Sequence, residues 1–350
     1  MATSMKPKII MTVDKNNFNK EWFLGTGGKV SFAGSALLLL AVCFADSFSP
    51  DVTIIPPYFK HILFNCLLYA ILTLSLNIVS GYVGQLSLGH AAFFGIGAYV
   101  TGTLVKFAGV NFWLTIPIGM LVAAVAAVPL AAAATRVRGA FLVVITYGFS
   151  EVLRYVTINT DFLGGSAGMP GITAPGVFGV PFSRIGPSGK EAYIILTFLI
   201  VAALSFFLSK LEKSRTGYAL SAIREDEIAA LAMGVNTVYY KTLAIVLSAF
   251  ICGAAGGIHA GYATFISPEL FSSTQSILIL TMVIVGGPRS IKGSILGAAL
   301  MTILPEIFHS VKDLFKLGID PWMILYGFIL VVMMRVRPQG FWGKTSVLTK

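Results

Sequence analysis

The sequence predicts an all-α, polytopic integral membrane protein. Three observations carry that expectation. Apolar residues and Tyr make up 56% of the 350 residues, with a mean hydropathy of +0.84. Charged residues are only 11%, against roughly 25% in a soluble domain, too few to cover a water-soluble globule of this mass. The apolar residues also fall into runs near the length a membrane helix needs, about 20 residues for about 30 Å of hydrocarbon. This composition excludes a soluble enzyme, a disordered chain and a disulfide scaffold.

The runs define ten expected spans: 30–48, 61–80, 85–107, 112–134, 139–158, 190–209, 242–265, 274–286, 293–310 and 321–336. Residues 1–29 are polar and carry Lys6, Lys8, Lys15, Lys20 and Lys29. That leader is long for a secretory signal and further apolar runs follow, so the first run is expected to stay as a membrane helix. The third run is rich in Gly and Ser and is a candidate for a broken or re-entrant helix. The eighth is short and Gly-bounded, a candidate half-helix. Irregular backbone at that depth requires cover by protein or a cavity.

Ten spans put both termini on one side. With that side inside, 18 of the 25 Lys and Arg residues fall on inner segments and seven on outer ones. The excess of cations inside sets the expected orientation as N-in, C-in. The chain then divides into a cytoplasmic segment 1–29, a transmembrane domain 30–336 and a cytoplasmic tail 337–350. The outer loop 159–189 is dominated by Gly and Pro and should form no long helix. The inner loop 210–241 carries a helical pattern. The net charge of +10 is spread over loop ends rather than gathered in a patch, so it sets topology and does not mark a nucleic-acid surface. Cys43, Cys66 and Cys252 each sit inside an apolar run and read as small buried hydrophobes.

No catalytic constellation is visible. His61, His90, His259 and His309 lie on separate spans without metal-ligand spacing. Gly25-Thr26-Gly27-Gly28-Lys29 is not a phosphate-binding loop: it lacks the first glycine and ends in Val30. If nucleotide energy drives this protein, another chain hydrolyses the nucleotide. Polar residues at membrane depth are then the functional candidates. Glu151 and Arg154, one helical turn apart, should form an ion pair, as should Glu306 and His309. The cluster from Gly81 to His90, with Gly84, Gln85, Ser87 and Gly89, admits two readings: a solute pathway along unwound backbone, or tight packing through small residues. Gly253, Gly257 and Gly261, spaced by four, read as a helix–helix seam. At an offset of 206, Leu72, Leu74, Ile78, Val79 and Gly81 face Leu278, Leu280, Ile284, Val285 and Gly287, the trace of an internal repeat.

Within the inner loop, Arg224-Glu225-Asp226-Glu227-Ile228-Ala229-Ala230-Leu231-Ala232-Met233-Gly234 reads as one short helix. Acidic residues crowd its start, as the helix dipole favours, and Gly234 is placed to end it. Ile228, Leu231 and Ala232 share a face. A helix this short is marginal alone and needs a surface to dock on. That surface is either the chain's own membrane domain or a partner protein; the alternative is an ordinary amphipathic connector lying on the membrane.

Several stretches together resemble the LivM-type permease of branched-chain amino acid ABC transporters. They are NIVSGYVGQLSLGHAAFFGIGAYV at 77–100, RVRGAFLVVITYGFSEVLRYV at 136–156, RTGYALSAIREDEIAALAMGVNTVYYKTLAIVLSAF onwards to residue 306, and RVRPQGFWG at 335–343. The resemblance covers roughly residues 60–343. It implies a multi-pass subunit of the bacterial inner membrane, with no enzymatic activity and no cofactor of its own. It further implies a second, homologous permease, two cytoplasmic ATP-binding subunits that use ATP and Mg, and a periplasmic solute-binding protein. By the same resemblance, Arg224, Glu225, Asp226, Glu227, Ile228, Leu231, Met233 and Gly234 form the segment that seats in the ATPase. Gly84, Gln85, Ser87, Gly89, His90 and Glu151 become candidate pathway positions. One departure stands out: after Gly286-Gly287, where the family usually has a glycine-rich turn, this chain has Pro288-Arg289-Ser290-Ile291-Lys292. The competing functional reading is a stand-alone secondary transporter or channel for a small polar solute.

Overall fold

The structure is a computed structural model that describes residues 56–137, 139–177, 180–182, 189–315, 322–336 and 339–342. All belong to the unit Ile55–Lys350. The expected segment 1–29 and first span 30–48 lie outside the described residues.

Helix α1, Pro57–Leu76, opens with proline at its first position, where the missing N–H costs nothing and φ is preset. It runs without interruption into a π-helical turn, Asn77–Val83, which ends at Gly84 with φ +80°. The combined 27 residues reach about 40 Å at 1.5 Å per residue, ample for a bilayer. The expected third span is shortened. Residues 84–89 are not helical, and α2 is His90–Ala108, closed by Gly109 at φ +60°. Two glycines bracket the irregular stretch, and it is the break that the Gly and Ser content suggests.

Helix α3, Phe112–Ala134, is capped by Asn111, whose side chain accepts from the Trp113 N–H, and contains Pro117 and Pro129. Helix α4 is Ala140–Ile158. The segment after it holds two single 3-10 turns and three two-residue strands: β1 Met169–Pro170, β2 Gly176–Val177 and β3 Val180–Pro181. Helices α5 (Glu191–Glu212), α6 (Arg215–Glu225), α7 (Glu227–Ala232) and α8 (Thr237–Ala263) follow. Strand β4, Phe265–Ile266, pairs antiparallel with β1, and β2 pairs with β3. The chain then forms α9 (Ser273–Gly286), α10 (Ile291–Phe315) and α11 (Trp322–Val336). Among the described residues, six helices are long and apolar enough to cross a membrane, and Ser273–Gly286 is a shorter apolar helix.

The seam predicted on α8 is real. A Cβ on Gly253 would press on Ala123 and the Gly119 carbonyl of α3, and one on Gly261 would strike Phe112. On the other flank, a Cβ on Gly97 of α2 would overlap the Gly253 backbone. Small residues let three backbones meet where lipid-soluble side chains offer no hydrophobic drive. Helix α1 is the hub, packed against α5, α8, α9 and α10. The two stretches of the offset-206 match therefore lie against each other, on α1 and α9. Helices α3 and α4 instead turn Leu121, Val125, Phe141, Val144 and Val152 outwards, an apolar face suited to lipid or another membrane chain.

Candidate functional site

The site is the junction of α6, α7, the π turn and the α9–α10 turn. It begins with Ser214, which caps α6 by accepting from the Gly217 N–H at 3.2 Å. The single helix expected over 224–234 is in fact two. Asp226 is extended, with φ −155° and ψ 114°. Its carboxylate accepts from the N–H groups of Ile228 at 2.8 Å and Ala229 at 3.1 Å. A side chain that satisfies the next turn's amides from outside the helix starts a new helix. Arg224 and Glu225 therefore close α6, and Glu227 opens α7. Gly234, at φ +83°, ends α7, and the Val235 N–H reaches back to the Ala230 carbonyl at 3.0 Å, a left-handed helix stop.

The short α7 is held at two residues, and the end of α6 before it at a third. Ala230 is buried against the protein. Glu227 pairs with Lys241 of α8 at 2.5 Å, with the lysine nearly buried. The Arg224 guanidinium donates to the Gly81 carbonyl of the π turn. Burial, and then the neighbouring Arg289 cation, lower the Arg224 pKa from its usual value, yet arginine stays charged at any physiological pH. What α7 leaves uncovered is apolar: Ile228 is 68%, Leu231 49% and Met233 84% exposed. Tyr218 and Tyr239 stand exposed on the flanking helices.

The α9–α10 turn completes the junction. Arg289 takes φ +64°. Its N–H donates to Asn77 Oδ1 at 3.0 Å, and its guanidinium donates to Ser221 Oγ at 3.3 Å and Glu225 Oε1 at 3.4 Å. Beside these contacts lies a cleft of about 530 Å³ lined by Gln85, Leu142, Ile223, Arg224, Glu227 and Lys241, with Gly84 at its edge.

Of the candidate pathway residues, the structure brings only Gly84 and Gln85 to this cleft. Ser87 and Gly89 are buried, and the Gly89 N–H donates to Ser87 Oγ at 3.2 Å. His90 is buried with Nε2 at 2.5 Å from Ser248 Oγ. The one Ser248 hydroxyl proton is directed at the Ser75 carbonyl, 2.6 Å away, so His90 donates from Nε2. Glu151 belongs to another cluster, where it pairs with Arg154 at 3.5 Å as its spacing predicts. Arg154 also reaches Glu269 at 3.1 Å. Glu306 accepts from the Tyr58 hydroxyl, and the His309 side chain expected beside it lies outside the described residues.

Two features escaped the sequence reading. Lys60 of α1 and Glu191 of α5 form a fully buried ion pair at 2.5 Å. A polar stripe also runs down α1 at a spacing of four: His61, Asn65, Tyr69 and Thr73. His61 Nδ1 lies 2.7 Å from the Tyr262 hydroxyl, Asn65 lies 3.1 Å from His61, and Tyr69 accepts from Gln275 at 3.1 Å. The stripe's period is visible in the sequence, whereas the ion pair joins residues 131 apart and has no local signature. Among the described residues no group of three His, Cys, Asp or Glu side chains could hold a metal.

An apolar helical bundle with six helices long enough to cross a membrane, among the described residues, and polar groups inside its spans fits a multi-pass membrane protein. Residues 58–334 match the family described as branched-chain amino acid transport system / permease component, and the chain belongs to that family. It is 34% identical over 293 residues to the high-affinity branched-chain amino acid transport system permease protein LivM of Salmonella typhimurium, covering 78% of this chain and 67% of that protein. The LivM protein of Escherichia coli K12 matches to the same extent. The probable branched-chain amino acid transport permease protein LivH of Methanocaldococcus jannaschii is 25% identical over 305 residues, covering 80% of this chain and 89% of that protein. No solved structure matches.

Proposed function

We propose that the chain is the transmembrane permease subunit of a bacterial ABC importer for branched-chain amino acids or a related small zwitterionic or neutral solute. It sits in the inner membrane with ten spans and both termini in the cytoplasm. It carries out no covalent chemistry and holds no cofactor. A second, homologous permease, two ATP-binding subunits that use ATP and Mg, and a periplasmic binding protein complete the machine. The segment from Arg224 to Gly234 is the ATPase-docking element within the loop 210–241, and the loop 159–189 faces the periplasm.

The observation that carries this reading is the contrast within α7. One side is tied down by Ala230 and the Glu227–Lys241 pair, and the other presents Ile228, Leu231 and Met233 without cover. Apolar side chains held out on a rigid short helix suit a groove in a partner protein. Closure and opening of the ATPases then push on this segment, and the membrane helices alternate between outward and inward access. Few charges lie in the spans, which suits a zwitterion or neutral solute. Gly84 and Gln85, which line the cleft, are the proposed pathway positions.

Reconstitution tests the reading. Uptake of labelled leucine into proteoliposomes should need ATP, the ATP-binding subunits and the binding protein. Uptake by this chain alone, driven by an ion gradient, would replace the proposal with a secondary transporter. Cysteine labelling that located residues 211–240 on the periplasmic face would also overturn it.

A further inference from the structure

We propose that Arg289 is a positioning residue for transport: it ties the α6–α7 segment to the π turn of α1, so that a push on that segment reaches the membrane-spanning helices. The inference rests on the reading of α6–α7 as the ATPase-docking element.

The backbone gives the first reason. Arg289 adopts φ +64°, a region that residues other than Gly, Asn and Asp rarely enter. Glycine would hold this turn without cost. A residue kept in an unfavourable backbone conformation points to work done by its side chain. That side chain has visible work. Its fork spans Ser221 and Glu225, one turn apart on α6, at 3.3 Å and 3.4 Å. Its own N–H meanwhile holds Asn77 Oδ1 at 3.0 Å. One residue of the α9–α10 turn thus grips α6 with its side chain and α1 with its backbone.

The π turn gives the second reason. A π-helical stretch is rare, and such stretches are frequent at functional sites; here it forms the end of the span. Here Asn77–Val83 begins at the residue that Arg289 holds, and Arg224 of α6 donates to the Gly81 carbonyl. Gly81 has no slack: a Cβ there would overlap the Asn77 side chain and come within 2.8 Å of the Arg289 nitrogen. Three segments distant in sequence therefore interlock where the span changes its winding. Packing this tight passes on displacement rather than absorbing it.

The test uses the full importer in proteoliposomes with Arg289→Gly. Glycine adopts φ +64° freely and keeps the N–H to Asn77, so only the guanidinium is lost. The expected result is that the ATP-binding subunits still co-purify and hydrolyse ATP, while solute taken up per ATP falls about tenfold, within the range that changes between coupled sites produce. Arg289→Lys keeps a cation near Glu225 without the fork and should recover part of the ratio. An unchanged ratio in Arg289→Gly overturns the proposal. So does a loss of uptake matched by loss of thermal stability, which is a structural role, or loss of ATPase association, which is a docking role. Failure of the underlying reading is read separately: it shows as full ATPase association after the apolar face of α7 is removed.

Discussion

Replacing Ile228 and Leu231 together by serine should weaken the bond to the ATP-binding subunit without harming the membrane domain. Fully burying one such side chain is worth about 1.5–3 kcal/mol. Ile228 is 68% exposed and Leu231 49% exposed, so little more than one full side chain's worth of burial is still to be gained on docking. That is about 2–3.5 kcal/mol, or roughly 20- to 400-fold in affinity. Because these residues are largely uncovered in the isolated chain, their removal should leave its own stability within about 0.5 kcal/mol. The assay is titration of the detergent-solubilised permease with labelled ATPase, with thermal unfolding of the permease as control. Unchanged affinity would refute the docking argument, because no other apolar residue of α7 except Met233 is comparably exposed and large.

Three further outcomes follow from the packing. Lys60→Met, which removes the cation from the buried Lys60–Glu191 pair, should cost up to about 3–5 kcal/mol, read as a lowered unfolding temperature in detergent. Gly97→Leu should abolish assembly of the bundle, since even a Cβ would enter the Gly253 backbone; limited proteolysis of membranes would show it. Asp226→Ala removes the cap shared by the Ile228 and Ala229 amides, at a cost of about 0.5–2 kcal/mol, and should raise hydrogen exchange across Glu227–Ala232.

The parts of the fold that were legible in the sequence rest on local rules. Gly109 and Gly234 stop helices because each must take positive φ. Gly253, Gly257 and Gly261 mark the seam because spacing by four stacks them on one face. The helical character of residues 224–234 was legible in residue content, but not its division into two helices. Asp226 can either extend an acidic first turn or cap a new helix, and only the fold decides which. The π turn was not legible at all. Asn77, Ser80 and Gly81 interrupt the apolar run but do not by themselves specify a change of winding, and the shape of the turn is accompanied by contacts from Arg224 and Arg289, 143 and 212 residues away. Glycine content located the break at 84–89, but whether each polar group there faces a cleft or a neighbouring helix depends on tertiary packing.

The position of α1 decides how a push on α6 can spread. Like α8, α1 is largely buried, and it touches α5, α8, α9 and α10, whereas α3 and α4 are mostly exposed. A helix enclosed on that scale cannot turn alone without opening voids, and close-packed interiors resist that. A displacement entering at the π turn must therefore carry the helices around α1 with it. Helix α4 keeps an open outer face towards lipid or a second chain, whereas α3 is held to α2 and α8 at the glycine seam. The polar stripe from His61 to Thr73 lies on the enclosed helix, so any rearrangement of α1 also re-pairs Tyr262, Gln275 and their partners. Rearrangement of such pairs costs little only if each group finds a new partner. Rearrangement of the bundle is thus biased towards discrete arrangements rather than a continuum.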